Sequence, residues 1–321
     1  MTRQALIDNL TAMLEDAGYV VSDRCAIRPK SFDMVARKDQ SLLFLKILGN
    51  IDAFEASTGM EMRRLAELLG GTAMVIGLRS RDEDLKPSVV YFRHGVPVIS
   101  PDTAFELFIE EVDPLIYAAP GGLYVTIDSD ILEDKRKERG MSLGQLASEL
   151  GVSRRTVSKY EDGMNASIDV AMHLEELFDA PLTNPISLFD NDELLADRQS
   201  PIDAQGDGDD TSGTLALLTH AGFTAHPIAR APFRAVGEDD DTERGVVLTG
   251  HSEYNRTAKK RARIMGSIGR VTGSQSVYIV EQARDDEIHG TALVERSEIE
   301  DIEESDDLRA MIAARTETTN G

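Results

Sequence analysis

Tryptophan is absent from this chain, cysteine occurs once, and aromatic residues make up 5% of its 321 positions. A lone thiol, Cys25, excludes an internal disulfide and fits a reducing compartment. With six scattered histidines and one cysteine, the spaced Cys/His sets of a zinc site have no counterpart. No metal and no other cofactor is expected. No apolar run approaches the ~20 residues that a membrane span needs. Met1 leads straight into an amphipathic pattern without a signal-peptide signature, so a cytoplasmic location is expected. Basic residues are scarce too: 34 Lys and Arg face 57 Asp and Glu, for a net charge of −23. That is the wrong sign for a surface that would bind a polyanion as a whole.

What the chain does have is the stretch Met141 to Gly163, which reads as two short helices joined by a tight glycine turn. Ser142 is a good N-cap, its hydroxyl placed to accept from free amides. Leu143, Leu146, Ala147 and Leu150 follow at helical spacing and form one apolar face. Ala147 is small where two helices must cross. Gly151 permits the positive φ of a sharp stop, Val152 fills the space beneath the turn, and Ser153 starts a second helix at once. There Val157 and Tyr160 point inward, leaving Arg154, Arg155, Ser158, Lys159 and Asp162 outside. Basic and hydroxylic groups at a helix N-terminus suit DNA, because that end enters the major groove and its amides favour phosphate. Arg154, Arg155 and Ser158 are the candidates for base edges, since Arg can hold guanine with two bonds worth about 1–3 kcal/mol. Ser153, Thr156 and Lys159 are the candidates for phosphates, which position without specifying. From Ile131 to Gly163 there are seven Lys/Arg against six Asp/Glu, so the negative charge lies elsewhere.

Ala147, Gly151, Val152 and Val157, followed by the tail YEDG, make this segment similar to the helix-turn-helix of phage repressors and Cro proteins. The resemblance implies a domain from about Asp128 to Asp190. A leading helix, Ile131 to Arg139, would precede the motif, and a following helix, Ile168 to Phe178, would pack behind it. It also implies that Arg136 pairs with Glu161, a structural role. The family usually has Gln where Leu143 stands, which puts the phosphate contact at that site in doubt. A helix-turn-helix used for protein contacts alone is the alternative.

Residues 1–120 read helix, strand, strand, helix, strand, an α/β pattern with a mixed sheet. LIDNLTAMLEDAGY is an amphipathic helix ending at Gly18, SFDMVARK and SLLFLKIL are adjacent strands, FEASTGMEMRRLAELLG is a long helix and TAMVIGL a buried strand. After Thr211 the order recurs. LALLTHAGF, PIARAPFRAVGE, GVVLTGHS, EYNRTAKKRARIMGSIG and SVYIVEQ answer those segments in turn. Gly222-Phe223 matches Gly18-Tyr19, and Pro232-Phe233 matches Ser31-Phe32. An internal duplication is therefore expected, coincidence of two α/β segments being the alternative. The expected layout is a first α/β domain at 1–120, the helix-turn-helix domain at 128–190, and an acidic flexible linker at 191–213. A second α/β domain at 214–305 and a charged helix and tail at 306–321 follow.

The strands SFDMVARK and SLLFLKIL resemble the core of the PD-(D/E)xK nuclease fold. There an Asp and an acid-x-Lys hold Mg²⁺ and polarise a water. Asp33 and Lys46 fit, but Phe44 stands where the second acid belongs. In the second copy Arg234 replaces the Asp and Thr249 the Lys. One carboxylate is too few for a catalytic metal, so a degenerate nuclease-like scaffold without cleavage is expected. Lys46, in an apolar strand, needs a partner, and Asp33 is the natural one. Cleavage would need another acid near Asp33, for instance Glu15. In the second copy Arg256, Lys259, Lys260, Arg261, Arg263 and Arg270 form a basic cluster that either touches DNA backbone or counters acids such as Glu253, Asp285 and Asp286.

The fold class expected is therefore duplicated α/β, nuclease-like flanking domains around an all-α helix-turn-helix domain. The spread of acid, with Arg in excess of Lys, resembles proteins of salt-loving archaea, where screening shortens to about 3 Å at 1 M salt. An acidic protein of ordinary salt is the bland alternative. Over its length the chain resembles a family of archaeal helix-turn-helix regulators. The likeness lies in the nuclease-like flank, the GGLYVTID entry strand, the motif and GMNASIDVAMHLEELFD. That implies a transcriptional regulator binding double-stranded DNA as a homodimer, with the flanking domains supplying dimerisation or sensing an unidentified effector. The alternatives are a metal-dependent nuclease targeted by the motif and an antitoxin-like interaction protein.

Overall fold

A computed structural model describes residues 2–189, 209–239 and 245–317. The chain divides into two units, one from Met1–Leu48, Ala53–Val75 and Ser200–Gly321, the other from Gly49–Asp52 and Ile76–Gln199. Helix α1 (Arg3–Asp16) begins the first unit; Thr2 caps it, and Leu6, Ile7, Leu10 and Leu14 form its buried stripe. Gly18, with φ of 85°, ends that helical segment. Strands β1 (Val20–Val21), β2 (Met34–Lys38) and β3 (Ser41–Asn50) pair antiparallel in that order. Leu42, Leu43, Phe44, Leu45 and Ile47 are all buried, so β3 is covered on both faces, as its unbroken apolar run requires. Helix α2 (Ala56–Leu68) then leads to β4 (Thr72–Ser80), which lies beside β3.

The second unit takes the later residues of β4. It continues through β5 (Glu83–Asp84), β6 (Val89–Arg93), β7 (Val96–Ile99), α3 (Pro101–Phe108), β8 (Ile116–Ala119) and β9 (Gly122–Ile127). Four helices follow: α4 (Ser129–Glu138), α5 (Leu143–Leu150), α6 (Arg154–Glu161) and α7 (Ile168–Phe178). Two-residue strands, β10 (Ala166–Ser167) and β11 (Thr183–Asn184), flank α7. Both pair with β9, Ala166 opposite Val125 and Thr183 opposite Ile127. Two short bridges to β9 thus accompany the helices of the helix-turn-helix region. Strand β9, the GGLYVTID segment, offers open backbone groups that the chain at either end of α7 satisfies. Val125 and Ile127 of β9 pack into the same core as Leu132, Leu146, Ala147, Val157, Tyr160, Leu174 and Phe178.

In the remaining part of the first unit, α8 (Asp209–His220) starts inside the stretch expected to be linker; 191–208 lie outside the described residues. Leu217 and Leu218 bury against the following strands. Strands β12 (Thr224–Pro227), β13 (Ala235–Glu238) and β14 (Val247–His251) are antiparallel. Helix α9 (Arg256–Thr272) crosses to β15 (Gln275–Val280), parallel to β14. Then come β16 (Glu287–Ile288), β17 (Thr291–Glu295), α10 (Arg296–Glu300) and α11 (Ser305–Glu317), with β17 parallel to β15. The sheet is mixed, in the order β12-β13-β14-β15-β17-β16.

The order helix, strand, strand, strand, helix, strand is shared by α1 to β4 and α8 to β15. Asp33 donates its amide to the Leu45 carbonyl at 2.7 Å, and Arg234 donates to Thr249 at 2.8 Å. That register corrects one correspondence: Thr249 stands opposite Leu45, and Gly250, not Thr249, stands where Lys46 does. The two blocks grip each other reciprocally. Glu61 of α2 accepts from the Ala229 amide at 2.7 Å, and Thr58 accepts from Arg230 at 3.0 Å. Ser267 of α9 accepts from the Asp23 amide at 2.7 Å, and the Thr272 carbonyl accepts from Arg37 at 3.0 Å.

Helix α9 can lie so close to the β16–β17 turn only because Gly266 lacks a side chain: a Cβ there would fall 2.0 Å from the His289 carbonyl oxygen. In a free helix Gly266→Ala would gain about 1 kcal/mol of propensity. Against a backbone oxygen at that distance the overpacking cost of about 1–3 kcal/mol dominates. Urea unfolding should therefore show Gly266→Ala destabilised by about 1–2 kcal/mol; equal or greater stability would refute the packing.

Candidate nucleic-acid interface

Helix α5 is started by a reciprocal cap: Ser142 Oγ accepts from the Gln145 amide at 3.2 Å, and Gln145 Oε1 accepts from the Ser142 amide at 2.8 Å. It stops at Gly151, which is left-handed with φ of 65°. Two residues on, Ser153 Oγ accepts from the Thr156 amide at 3.1 Å and bonds the Thr156 hydroxyl at 2.8 Å, starting α6. One hydroxyl proton of that pair stays free to donate outward. Val157 and Tyr160 are buried, and burial pushes the Tyr160 phenol upward. Leu143 packs half-buried against the core.

The orientation of α6 is fixed from α4. Arg136 reaches across and donates from Nε and Nη2 to the two oxygens of Glu161, at 2.5 and 3.0 Å. Its Nη1 donates to the Met141 carbonyl at 2.8 Å. Hydrogen bonding to Glu161 holds the Arg136 guanidinium above its ordinary value. Of the residues read as DNA contacts, Arg154, Arg155, Ser158 and Lys159 lie away from the buried Val157–Tyr160 side, whereas Thr156 lies beside it. Arg154, Arg155, Lys159 and Ser153 are exposed, while Thr156 and Ser158 are half-buried. No ion pair engages Arg154, Arg155 or Lys159 among the described residues.

Asp33 and Lys46 behave differently from the sequence expectation. Asp33 is fully buried, and its carboxylate accepts from Arg3 Nη2 at 2.7 Å and from the Ile47 amide at 2.9 Å. Lys30 Nζ lies 2.5 Å away. Lys46 is not its ion-pair partner: its ammonium donates to the Lys30 carbonyl at 3.1 Å. Asp33 instead draws its cations from α1 and the loop before β2. Burial pushes Lys46 down. For Asp33 burial alone would push upward, but the Lys30 hydrogen bond, the Ile47 amide and the neighbouring cations leave it below the usual carboxylate range. Phe44, at the second acid position, is buried among apolar neighbours, with Phe32 edge-on at 5.6 Å. Glu15 is exposed and three helical turns, about 18 Å, from Arg3, so the α1 residue that meets Asp33 is a cation, not an acid. Among the described residues no group of three His, Cys, Asp or Glu is placed to hold a metal.

Residues 3–114 match a family model described as a PD-(D/E)XK superfamily domain, and residues 132–183 match one described as helix-turn-helix. A protein of Haloarcula marismortui is 60% identical over 99% of this chain and 98% of its own length. One of Halobacterium salinarum is 56% identical over 98% of each. One of Methanosarcina acetivorans is 42% identical over the full length of both. All three bear the name "Putative HTH-type transcriptional regulatory protein". The chain belongs to this archaeal family. No solved structure matches it. Family membership fits the fold described above: a nuclease-like α/β part and a helix-turn-helix in one chain. Among the described residues no helix is long and apolar enough to cross a membrane.

Two parts of these sites go beyond what the sequence signals. The serine alone marks the start of α5, and the reciprocal bond from Gln145 adds to it. Arg3 and Lys30 carry no signal, since Arg3 lies 30 positions from Asp33 and meets it only through the docking of α1.

With its folded pKa below the unfolded value near 3.9, Asp33 adds stability above that pH and loses it as pH falls toward the folded value. Asp33→Asn leaves two cations beside a neutral amide and should cost about 3 kcal/mol at neutral pH. In acid titrations followed by urea unfolding, the gap between wild type and variant should close below about pH 4. A gap that persists unchanged at low pH would show that the carboxylate charge is not what matters.

Proposed function

We propose that this chain regulates transcription by laying α6 in the major groove of double-stranded DNA. Arg154, Arg155 and Ser158 would face base edges, and Ser153, Thr156 and Lys159 would face phosphates. One observation carries the reading. Arg154, Arg155 and Lys159 stand exposed, without acidic partners among the described residues, on a helix whose other face is fixed by Arg136–Glu161 and Val157. In a chain of net charge −23 they form a local positive patch that a polyanion can meet. The printed names of the relatives and the helix-turn-helix match support the same reading. Two copies would present two such helices to half-sites about 34 Å apart.

The nuclease-like part serves in this reading as scaffold, without cleavage. Its support is the occupation of Asp33 by Arg3 and Lys30 and the apolar side chain at Phe44. Magnesium should produce no nicking of supercoiled plasmid; nicking that disappears in Asp33→Ala would overturn the scaffold assignment.

The residue assignment makes a quantitative forecast. In footprints and titrations on the operator identified by genome-wide mapping, Arg154→Ala and Arg155→Ala should each lose about 1–3 kcal/mol of specific binding, a factor of about 5 to 150. Lys159→Ala should weaken all sequences alike. Unchanged operator affinity in both arginine variants would discard α6 as the reading helix.

A further inference from the structure

The basic cluster of α9 is the other concentration of positive charge, and it lies in the first unit. Arg256, Lys260, Arg263 and Arg270 recur at intervals that, at 100° per residue, keep all four within an arc of roughly 80° on one helix face. The row is about 21 Å long. Over most of its length it forms one wall of an open groove of about 1210 Å³. The opposite wall is the β16–β17 turn around His289 and Gly290, brought close by Gly266.

Of the four cations in this row, nearby acids take one among the described residues, Arg263. Asp285 takes Lys259 at 3.0 Å, and Asp23 takes Arg263 at 3.2 Å. Glu287, the other acid of the groove, accepts from the Gly290 amide at 2.7 Å. Arg256, Lys260 and Arg270 are exposed and have no acidic partner among the described residues; Arg270 donates only to Ser267 Oγ, at 3.3 Å.

We infer that the α9 groove is a second DNA-contact site, which binds the phosphate backbone of duplex DNA without regard to sequence. A row of this length matches about six phosphates of one strand at 3.4 Å of axial rise each, whereas a single small anion would use one end of it. No Phe or Tyr lines the groove, and one ring, that of His289, is short of the row of stacking platforms that a run of unpaired bases uses. Arg and Lys side chains in a polar groove are what sequence-independent phosphate contact uses. Where salt is high, screening leaves only direct contact effective, and these three side chains are long enough to make it.

The site is independent of the α6 reading and is tested with α6 disabled. Full-length protein carrying Arg154→Ala and Arg155→Ala is titrated with a labelled duplex of random sequence over a range of KCl concentrations. Adding Arg256→Gln, Lys260→Gln and Arg270→Gln should weaken binding at least tenfold at low salt. The slope of log K against log [KCl] should become shallower by about 2–3, near 0.9 for each phosphate that is no longer neutralised. Lys260→Gln alone, at an exposed position, should shift the slope by about 1 and guards against misfolding of the triple variant. An unchanged slope and affinity in both would overturn the proposal. So would competition by polyglutamate as effective as by unlabelled duplex, which would mark the groove as a protein-docking surface. Loss of operator preference in the α6 variant alone leaves this result untouched, so the two readings fail separately.

Discussion

Arg136 and Glu161 hold the second unit's recognition machinery together. Helix α6 has eight residues, too few to be stable alone in water. Its direction is set by what it is bolted to. Val157 and Tyr160 bury on one side, the Ser153 cap satisfies the first turn, and the bidentate pair to α4 fixes the last turn. Both members of the pair are nearly buried, 12% and 11% exposed, so neither is left to water and Arg136 spends its remaining donor on Met141. Removing one partner would strand the other in a poorly hydrated place, which costs more than the pair itself contributes. Because the inner face is so fully committed, Arg154, Arg155 and Lys159 remain outside and available.

Charge is used in the opposite sense at Asp33. Where a metal-dependent nuclease gathers carboxylates around a cation, this chain surrounds one buried carboxylate with Arg3, Lys30 and the Ile47 amide. The same attraction that would hold Mg²⁺ here fastens α1 to β2 and β3. Phe44 places an aromatic ring in the core beside Phe32. The two blocks share a strand register, visible in the equivalent bonds Asp33 to Leu45 and Arg234 to Thr249.

Much of this is legible in the chain because it depends on local rules. Ser142, Gly151 and Ser153 announce helix boundaries by their own backbone chemistry, and α7 runs from Ile168 to Phe178 as the resemblance implies. The Arg136–Glu161 pair follows from resemblance alone, and the structure makes it. Other features are not legible. That Lys46 turns to a carbonyl follows from Arg3 and Lys30 taking Asp33, and that Gly250 takes its place in the second block is a matter of strand register. A one-residue shift in register moves a side chain to the other face of a sheet, and the apolar runs of β3 and β14 carry no alternation to reveal it.

The sequence by itself determined the helices, their caps and turns, the uneven placement of positive charge, and the recurrence of the α/β order. These depend on neighbours three or four positions away, or on composition. Only the tertiary structure decided which ions meet and which stay bare. Arg3 reaches Asp33 across 30 positions, Arg263 reaches Asp23 across 240, and Arg256, Lys260 and Arg270 have no acids beside them among the described residues. Ion pairing depends on distance in space, and in a chain with many more acids than bases no count of charges tells which cations will be taken.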